Sequence, residues 1–410
     1  MAENNVKETK KNSHYLSGKE IREITKKNRA ITRELEKKKH RKADESEFTT
    51  KMKDDGNILE IEDLHTYFFT DQGVVKAVNG VSFNVPKNAT VGIVGESGCG
   101  KSVTSMSVMQ LIAGPQGQIV SGEMRFNSQD YRRDRKGNPI SVKGEDGQEH
   151  YETEEKVYDI AQMPINEIYR IRGRQIAMIF QEPMTSLNPV FTIGNQLDEV
   201  TFIHIPGATK EMAKAKSMEM LDLVGIAAPD RVYKAYPHEL SGGMRQRVMI
   251  AMALACNPRL IIADEPTTAL DVTIQAQILD LFRDLKTKIN GSILLITHDL
   301  GVVAEMADYV VVMYAGRVIE QGTVQEIFHN PMHPYTIGLQ TSKPTMDSDS
   351  DTLFNIPGNV PNPINMPDHC YFKERCSQCK KKCSGEYPHM IQVSPTHKVA
   401  CHLYGEEEEK

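Results

Sequence analysis

Short apolar runs recur along the chain, each closed by polar residues, and longer stretches with helical spacing lie between them. Ala89–Val94 (ATVGIV), Ile176–Phe180 (IAMIF), Leu260–Ala263 (LIIA), Ser292–Ile296 (SILLI) and Tyr309–Tyr314 (YVVVMY) are short and continuous, the pattern of strands buried on both faces. Val103–Ala113 and the run RQRVMIAMALACN up to Pro258 carry no breaker and predict helices, most of 190–235 is helical by pattern, and Ile274–Ile289 predicts a further helix. Strand alternating with helix predicts an α/β fold with a parallel sheet. The polar residues that follow the strands are Gly95–Ser102, Gln181, Asp264-Glu265 and Thr297-His298-Asp299. They fall at the strand C-termini, where open α/β sheets place ligands.

The pattern also divides the chain. Residues 1–55 hold 16 Lys and Arg against 11 Asp and Glu, a balance of +5 inside a protein of net charge −6. Ile21, Ile24, Ile31 and Leu35 recur there at helical spacing, which fits a basic amphipathic helix on an anionic surface. The charge density favours a solvated, partly disordered arm. The globular part spans 56–342. Leu59, Ile61 and Leu64 predict a first strand and Val74–Val85 two more, before the turn Pro86-Lys87-Asn88. Residues 131–160 are charged, poor in large aliphatics and marked by turn signals, so they read as a surface insertion compatible with a hairpin. Residues 182–258 form a helical subdomain, and 343–410 a small C-terminal extension.

Composition narrows the class. Hydrophobic content of 39% and charged content of 25% are those of a soluble protein. No apolar run reaches the roughly 20 residues that span a bilayer, and the N-terminus lacks the apolar core of a secretory signal. A cytoplasmic setting is expected. Five of the seven cysteines crowd between Cys370 and Cys401, which in such a setting points to a metal or iron–sulfur site.

Candidate chemistry begins at GESGCGKS, Gly95 to Ser102, which fits the phosphate-binding pattern G-x-x-x-x-G-K-[ST] between a strand and a helix. Gly95, Glu96, Ser97, Gly98, Cys99 and Gly100 would turn backbone N–H groups onto phosphate oxygens, with Val103 completing the cradle at the helix start. Lys101 would reach the outer phosphates and Ser102 would place its hydroxyl on Mg²⁺. Asp264 is suited to hold Mg²⁺ opposite Ser102, and Glu265 to take a proton from an attacking water. Gln181 and His298 are candidates to sense the water and the terminal phosphate. Leu240–Met244 (LSGGM) opens a second helix whose N–H groups and Ser241 hydroxyl suit an anion. Two such termini for one phosphate suggest a head-to-tail pair of chains, each nucleotide closed by the other's Ser241 helix.

Taken in order, GESGCGKS, Gln181, LSGGM-RQR, LIIADEP, Ala269-Leu270-Asp271 and His298 resemble the ATP-binding-cassette ATPases over about 57–342. The resemblance implies a P-loop nucleotide-binding domain that binds ATP and Mg²⁺ in a sandwich dimer. Glu265, His298 and Gln181 would be catalytic, Ser241, Gly242 and Gly243 would clamp the partner's ATP, and Asp271 would lie at the dimer contact. An aromatic ring, Phe68 or Phe69, would stack on adenine, although Gln72 stands nearest the usual position. A narrower likeness rests on EPMTSLNP, on NPMHPYTIGL (330–339), on IPGNVPNP (356–363) and on the cysteine tail. These stretches look like the ATPase subunit of oligopeptide and dipeptide importers.

That likeness implies a peripheral protein on the cytoplasmic face of the membrane. Its partners would be a paralogous ATPase subunit, two membrane permeases and an extracytoplasmic peptide-binding protein, with no nucleic acid. It further implies a [4Fe–4S] cluster on Cys370, Cys376, Cys383 and Cys401; the extra Cys379, or His369 or His402, leaves zinc open. The rival readings are nickel or another small solute as cargo, and a soluble ATPase working on nucleic acid or ribosomes through the basic arm. Such soluble proteins usually carry two cassettes, and this chain has one.

Overall fold

The computed structural model describes residues 16–134, 138–143, 149–181, 186–267, 272–289, 291–342 and 355–404. Two large sheets organise it. In chain order the strands are β1 (Thr49–Thr50), β2 (Asn57–Thr70), β3 (Gly73–Pro86), β4 (Thr90–Val94), β5 (Gly117–Tyr131), β6 (Ser141–Lys143), β7 (Glu149–Tyr151) and β8 (Thr153–Asp159). They continue with β9 (Ile176–Ile179), β10 (Leu260–Asp264), β11 (Ser292–Ile296), β12 (Tyr309–Tyr314), β13 (Arg317–Thr323), β14 (Ile391–Gln392) and β15 (Lys398–Val399). One sheet is antiparallel, in the order β1-β8-β5-β2-β3; the other runs β14-β15-β13-β12-β4-β11-β10-β9. Within the second, β9, β10, β11, β4 and β12 pair in parallel, so the predicted parallel core is present.

The central strands are buried on both faces, and alternation sends their side chains into two cores. Leu260, Ile262, Leu294 and Ile296 join Val91 and Ile93 in a core shared with the antiparallel sheet. Ile261, Ala263, Ile293 and Leu295 join the core of the helical subdomain. That subdomain consists of α3 (Ile193–His204), α4 (Lys210–Leu223), α5 (Pro229–Lys234) and α6 (Gly242–Leu254), following α1 (Gly18–Lys39) and α2 (Lys101–Val108). After it come α7 (Val272–Ile289), α8 (Leu300–Met306), α9 (Val324–His329) and α10 (Pro334–Thr341).

Two expectations change, and the place of the extension becomes clear. Residues 18–39 are not a loose arm. Ser17 and Glu20 form a reciprocal cap at the start of α1, and the helix docks inward through polar groups. The Asn28 amide donates to the Thr70 carbonyl at 2.8 Å, and the Gln118 amide donates to Glu36 at 2.6 Å. The insertion is also shorter than 131–160. A hairpin of β6 and β7 is present, but Thr153–Asp159 forms a full strand between β1 and β5, and Tyr158 is completely buried. Finally, the C-terminal extension shares a core with the cassette. β15 pairs with β13, and Met366, Cys370, Tyr371, Phe372 and Cys383 pack with Val312, Tyr314 and Tyr335.

Candidate functional site

The strand C-termini converge as the apolar runs predict. β4 delivers the phosphate loop, and Gly95, Gly98 and Gly100 take positive φ of 150°, 78° and 101°. At Gly95 a Cβ would come within 2.2 Å of the Met313 carbonyl, and at Gly100 within 2.4 Å of the Ala77 carbonyl. No other residue type fits either place. Gly100 then caps α2, which starts at Lys101, two residues ahead of the expected Val103. The Lys101 ammonium is buried and donates to the carbonyls of Gly95 at 2.7 Å and Glu96 at 3.1 Å. Loop carbonyls thus hold the cation within the loop. Cys99 is buried, which pushes its thiol up and keeps it neutral.

From α2 the Ser102 hydroxyl donates to Asp264 Oδ1 at 3.0 Å, joining the two residues expected to hold Mg²⁺. Burial pushes the Asp264 carboxyl above the ordinary carboxylate range; the Ser102 bond pulls it back, and the neighbouring Glu265 charge adds to the rise. The pair fits a divalent cation, since a hydroxyl and a half-desolvated carboxylate are hard oxygen donors short of positive charge. Glu265 adopts φ 47°, rare for a residue with a side chain, and its N–H donates to the Ile296 carbonyl at 2.8 Å. Such backbone strain collects at working residues. Its carboxylate lies between Gln181 Nε2, which donates to Oε2 at 2.9 Å, and His298 Nδ1, 3.4 Å from Oε1. Three residues more than thirty positions apart in pairs, Gln181, Glu265 and His298, therefore meet as one group.

At the other helix start, Ser241 caps α6 by accepting the Met244 N–H, and Ser241 and Gly242 are exposed. The buried Gln246 amide of α6 donates to the Pro266 carbonyl at 2.7 Å, tying this helix to the turn after Glu265. Asp271 and residues 182–185 of EPMTSLNP lie outside the described residues. Phe69 is buried and the Phe68 ring packs against Gly117, so both serve packing rather than an open stacking face; Gln72 is exposed in the turn.

The fold gives the metal expectation for the tail no support of its own. Among the described residues no group of three His, Cys, Asp or Glu side chains is arranged to hold a metal ion. Cys370, Cys383 and Cys401 are buried and Cys376 half-buried, the first two as small apolar side chains of a shared core, while Cys379 is exposed. Burial pushes the Cys370 thiol up to about 12 and Cys401 up to about 11. The charges of Cys376, Cys383 and Cys401 all bear on Cys370, so the four thiols do share one neighbourhood.

Two residues that sequence reasoning missed touch the phosphate loop. The Glu96 N–H donates to the Tyr335 hydroxyl at 2.8 Å, and Arg375 grips the Glu96 carboxylate at 2.7 and 2.9 Å. Tyr335 lies in the NPMHPYTIGL stretch; Arg375 carried no signal beyond its place in the basic cysteine tail.

Comparison with known proteins identifies the relatives of this chain. The ABC transporter family model matches residues 78–268, and the model for the oligopeptide/dipeptide transporter C-terminal region matches 319–383. The chain is 48% identical to the oligopeptide transport ATP-binding protein AppD of Bacillus subtilis over 350 residues, covering 85% of this chain and 98% of that protein. It is 49% identical to OppD of the same organism over 343 residues, covering 83% and 87%, and 44% identical to the dipeptide transport ATP-binding protein DppD over 346 residues, covering 84% and 94%. Among solved structures, the post-hydrolysis dimer of the ATP-binding cassette MJ0796 bound to ADP and Pi is similar with a TM-score of 0.51 at 24% identity. That match covers 65% of this chain and 98% of MJ0796, and it shows the fold.

Proposed function

The chain belongs to the family of ABC transporter ATP-binding proteins that serve oligopeptide and dipeptide transport, and on that premise we propose that it hydrolyses ATP to power peptide import through separate membrane subunits. One observation carries the catalytic half: the Glu265 carboxylate is held between Gln181 and His298, beside the Ser102–Asp264 pair. Glu265 takes the proton of the water that attacks the γ-phosphorus, as the bond to the β–γ bridging oxygen breaks. Gln181 fixes one carboxylate oxygen and His298 the other, which aims the base. Lys101 and the loop N–H groups receive the phosphates, and a Mg²⁺ on Ser102 and Asp264 would offset their charge.

The exposed start of α6 supports a second step. Ser241, Gly242 and Gly243 close on the nucleotide of a second cassette, a copy or a paralogue, and Asp271 joins that contact. Closing and opening of the sandwich moves the helical subdomain. Phe180, Val190, Phe191, Phe202 and Ile203 are large apolar side chains left exposed beside or within it, which suits docking of membrane subunits near the loop after Gln181. The chain then sits at the cytoplasmic face of the membrane, with an extracytoplasmic binding protein selecting peptides. Its basic helix α1 docks on the cassette itself, and nothing favours the nucleic-acid reading.

The extension completes the proposal, with a [4Fe–4S] cluster on Cys370, Cys376, Cys383 and Cys401. Supporting a shared site are the spacing of the four cysteines, the burial of Cys370, Cys383 and Cys401, and their common neighbourhood with Cys376; four thiolates suit the four irons of such a cluster.

The test is co-purification from membranes, prepared anaerobically. We expect two hydrophobic subunits to accompany the chain, ATP-dependent uptake of labelled di- and oligopeptides by the reconstituted assembly, and about four irons and four sulfides per chain. Co-purification with ribosomes or RNA and no uptake would defeat the transport reading; one zinc per chain would defeat the cluster.

A further inference from the structure

Glu96 is the second residue of the phosphate loop, and its position poses an electrostatic problem. A carboxylate in a loop that receives a polyphosphate repels its ligand across a short distance, and the repulsion strengthens as water is excluded. The chain answers with a cation from far along the sequence. Arg375 meets the Glu96 carboxylate with two parallel bonds, Nη1 to Oε2 at 2.7 Å and Nη2 to Oε1 at 2.9 Å. This fork geometry is specific to arginine, since lysine offers only a point charge.

Arg375 is fixed by the extension rather than by Glu96 alone. Its side chain is only 5% exposed. Nε donates to the Pro357 carbonyl at 2.9 Å and Nη2 to the Ile356 carbonyl at 3.3 Å, and the guanidinium lies 5.8 Å from the ring centres of Tyr314 and Phe372. The same segment binds the β2–β3 hairpin. The Asn365 N–H donates to the Val74 carbonyl at 2.9 Å, the Val74 N–H to Asn365 Oδ1 at 3.2 Å, and the Lys76 N–H to the Pro363 carbonyl at 3.2 Å. One residue on, the Ala77 carbonyl abuts Gly100 of the phosphate loop. Glu96 is linked inward as well, because its carbonyl accepts from the Lys101 ammonium. Extension, Arg375, Glu96 and Lys101 thus form one connected line.

We propose that Arg375 is a positioning residue for nucleoside polyphosphate binding: it neutralises Glu96 and holds it in place, so that affinity for ATP depends on the C-terminal extension as well as on the cassette. This rests on the reading of the phosphate loop as an ATP site. An arginine that only tied two segments together would matter for folding whatever stood at position 96. An arginine that neutralises Glu96 becomes dispensable once the carboxylate is gone.

The experiment exploits that difference, with full-length protein and MgATP titrated by calorimetry. Arg375→Met is expected to weaken MgATP binding about tenfold, the scale of one lost charge-assisted pair that leaves an uncompensated carboxylate behind. Arg375→Met combined with Glu96→Gln is expected to return affinity to within about threefold of the unmodified protein. A double variant as weak as Arg375→Met, or an Arg375→Met protein that binds as tightly as the unmodified one, overturns the inference. Unmodified protein that binds no MgATP, or a Lys101→Ala protein that binds it undiminished, would instead overturn the ATP-site reading beneath it.

Discussion

The chain has two helix starts built for an anion, and they are finished to different degrees. At α2 the glycines are demanded by the chain itself: Gly95 and Gly100 have positive φ, and a Cβ on either would strike a carbonyl oxygen of the same molecule. Lys101, Ser102 and Asp264 all have partners within the loop or across to β10. At α6 nothing in the chain requires the glycine. A Cβ on Gly242 would meet nothing within 4 Å, and Gly242 is not among the positive-φ residues. Ser241 caps its own helix and stands exposed. A glycine in a helix lowers stability relative to alanine, so the requirement at Gly242 comes from outside the chain. On the proposed reading, the first terminus is a site that one molecule completes, and the second is half of a site.

The largest effect should come from the completed half. Glu265→Gln keeps the shape and removes the base, so turnover in the assembled transporter should fall by roughly 10²-fold or more while MgATP still binds. Phosphate-release assays beside equilibrium binding decide this, and wild-type turnover in the variant would strip Glu265 of its role. The unfinished half should fail differently. In the Glu265→Gln background, ATP should drive two cassettes together, as a larger species on size exclusion. Adding Ser241→Arg, a bulky side chain at the closing surface, should weaken that association about tenfold or more. If Ser241→Arg assembled as well as its parent, α6 would not face a second nucleotide and the comparison would lose its meaning.

What the sequence made legible follows the same division. Phosphate loop, carboxylate pair and signature each lie within a few consecutive residues, and apolar runs announce the strands that carry them. Glu265's place between Gln181 and His298 could be expected because all three end strands of one parallel sheet. Contacts made at long separation left no pattern: Tyr335 and Arg375 reach Glu96 from 239 and 279 residues away. Helix α1 keeps its apolar stripe of Ile21, Ile24, Ile31 and Leu35 only half-buried and buries the polar Asn28 and Thr32 instead, so nothing among the surrounding lysines announced that it docks. Strand β8, TEEKVYD, looked like part of a charged insertion because only its last two residues, Tyr158 and Asp159, are buried.

The smallest effect bears most directly on why the two termini differ. Gly242 is the first residue of α6, exposed, with open space where a Cβ would stand. If the isolated chain alone set its identity, alanine would be the better residue, because it removes backbone freedom from the unfolded state and strains nothing in the folded one. Gly242→Ala should therefore raise the stability of the single chain by about 0.5 kcal/mol, read as a higher urea midpoint with an unchanged slope. The same substitution should weaken ATP-driven association in the Glu265→Gln background, since its methyl stands between the helix N–H groups and the phosphates they must approach. A gain in stability with a loss of association would place the need for glycine in the partner's nucleotide. A loss of stability would mean that α6 requires glycine for its own fold, and the two helix starts would then be alike after all.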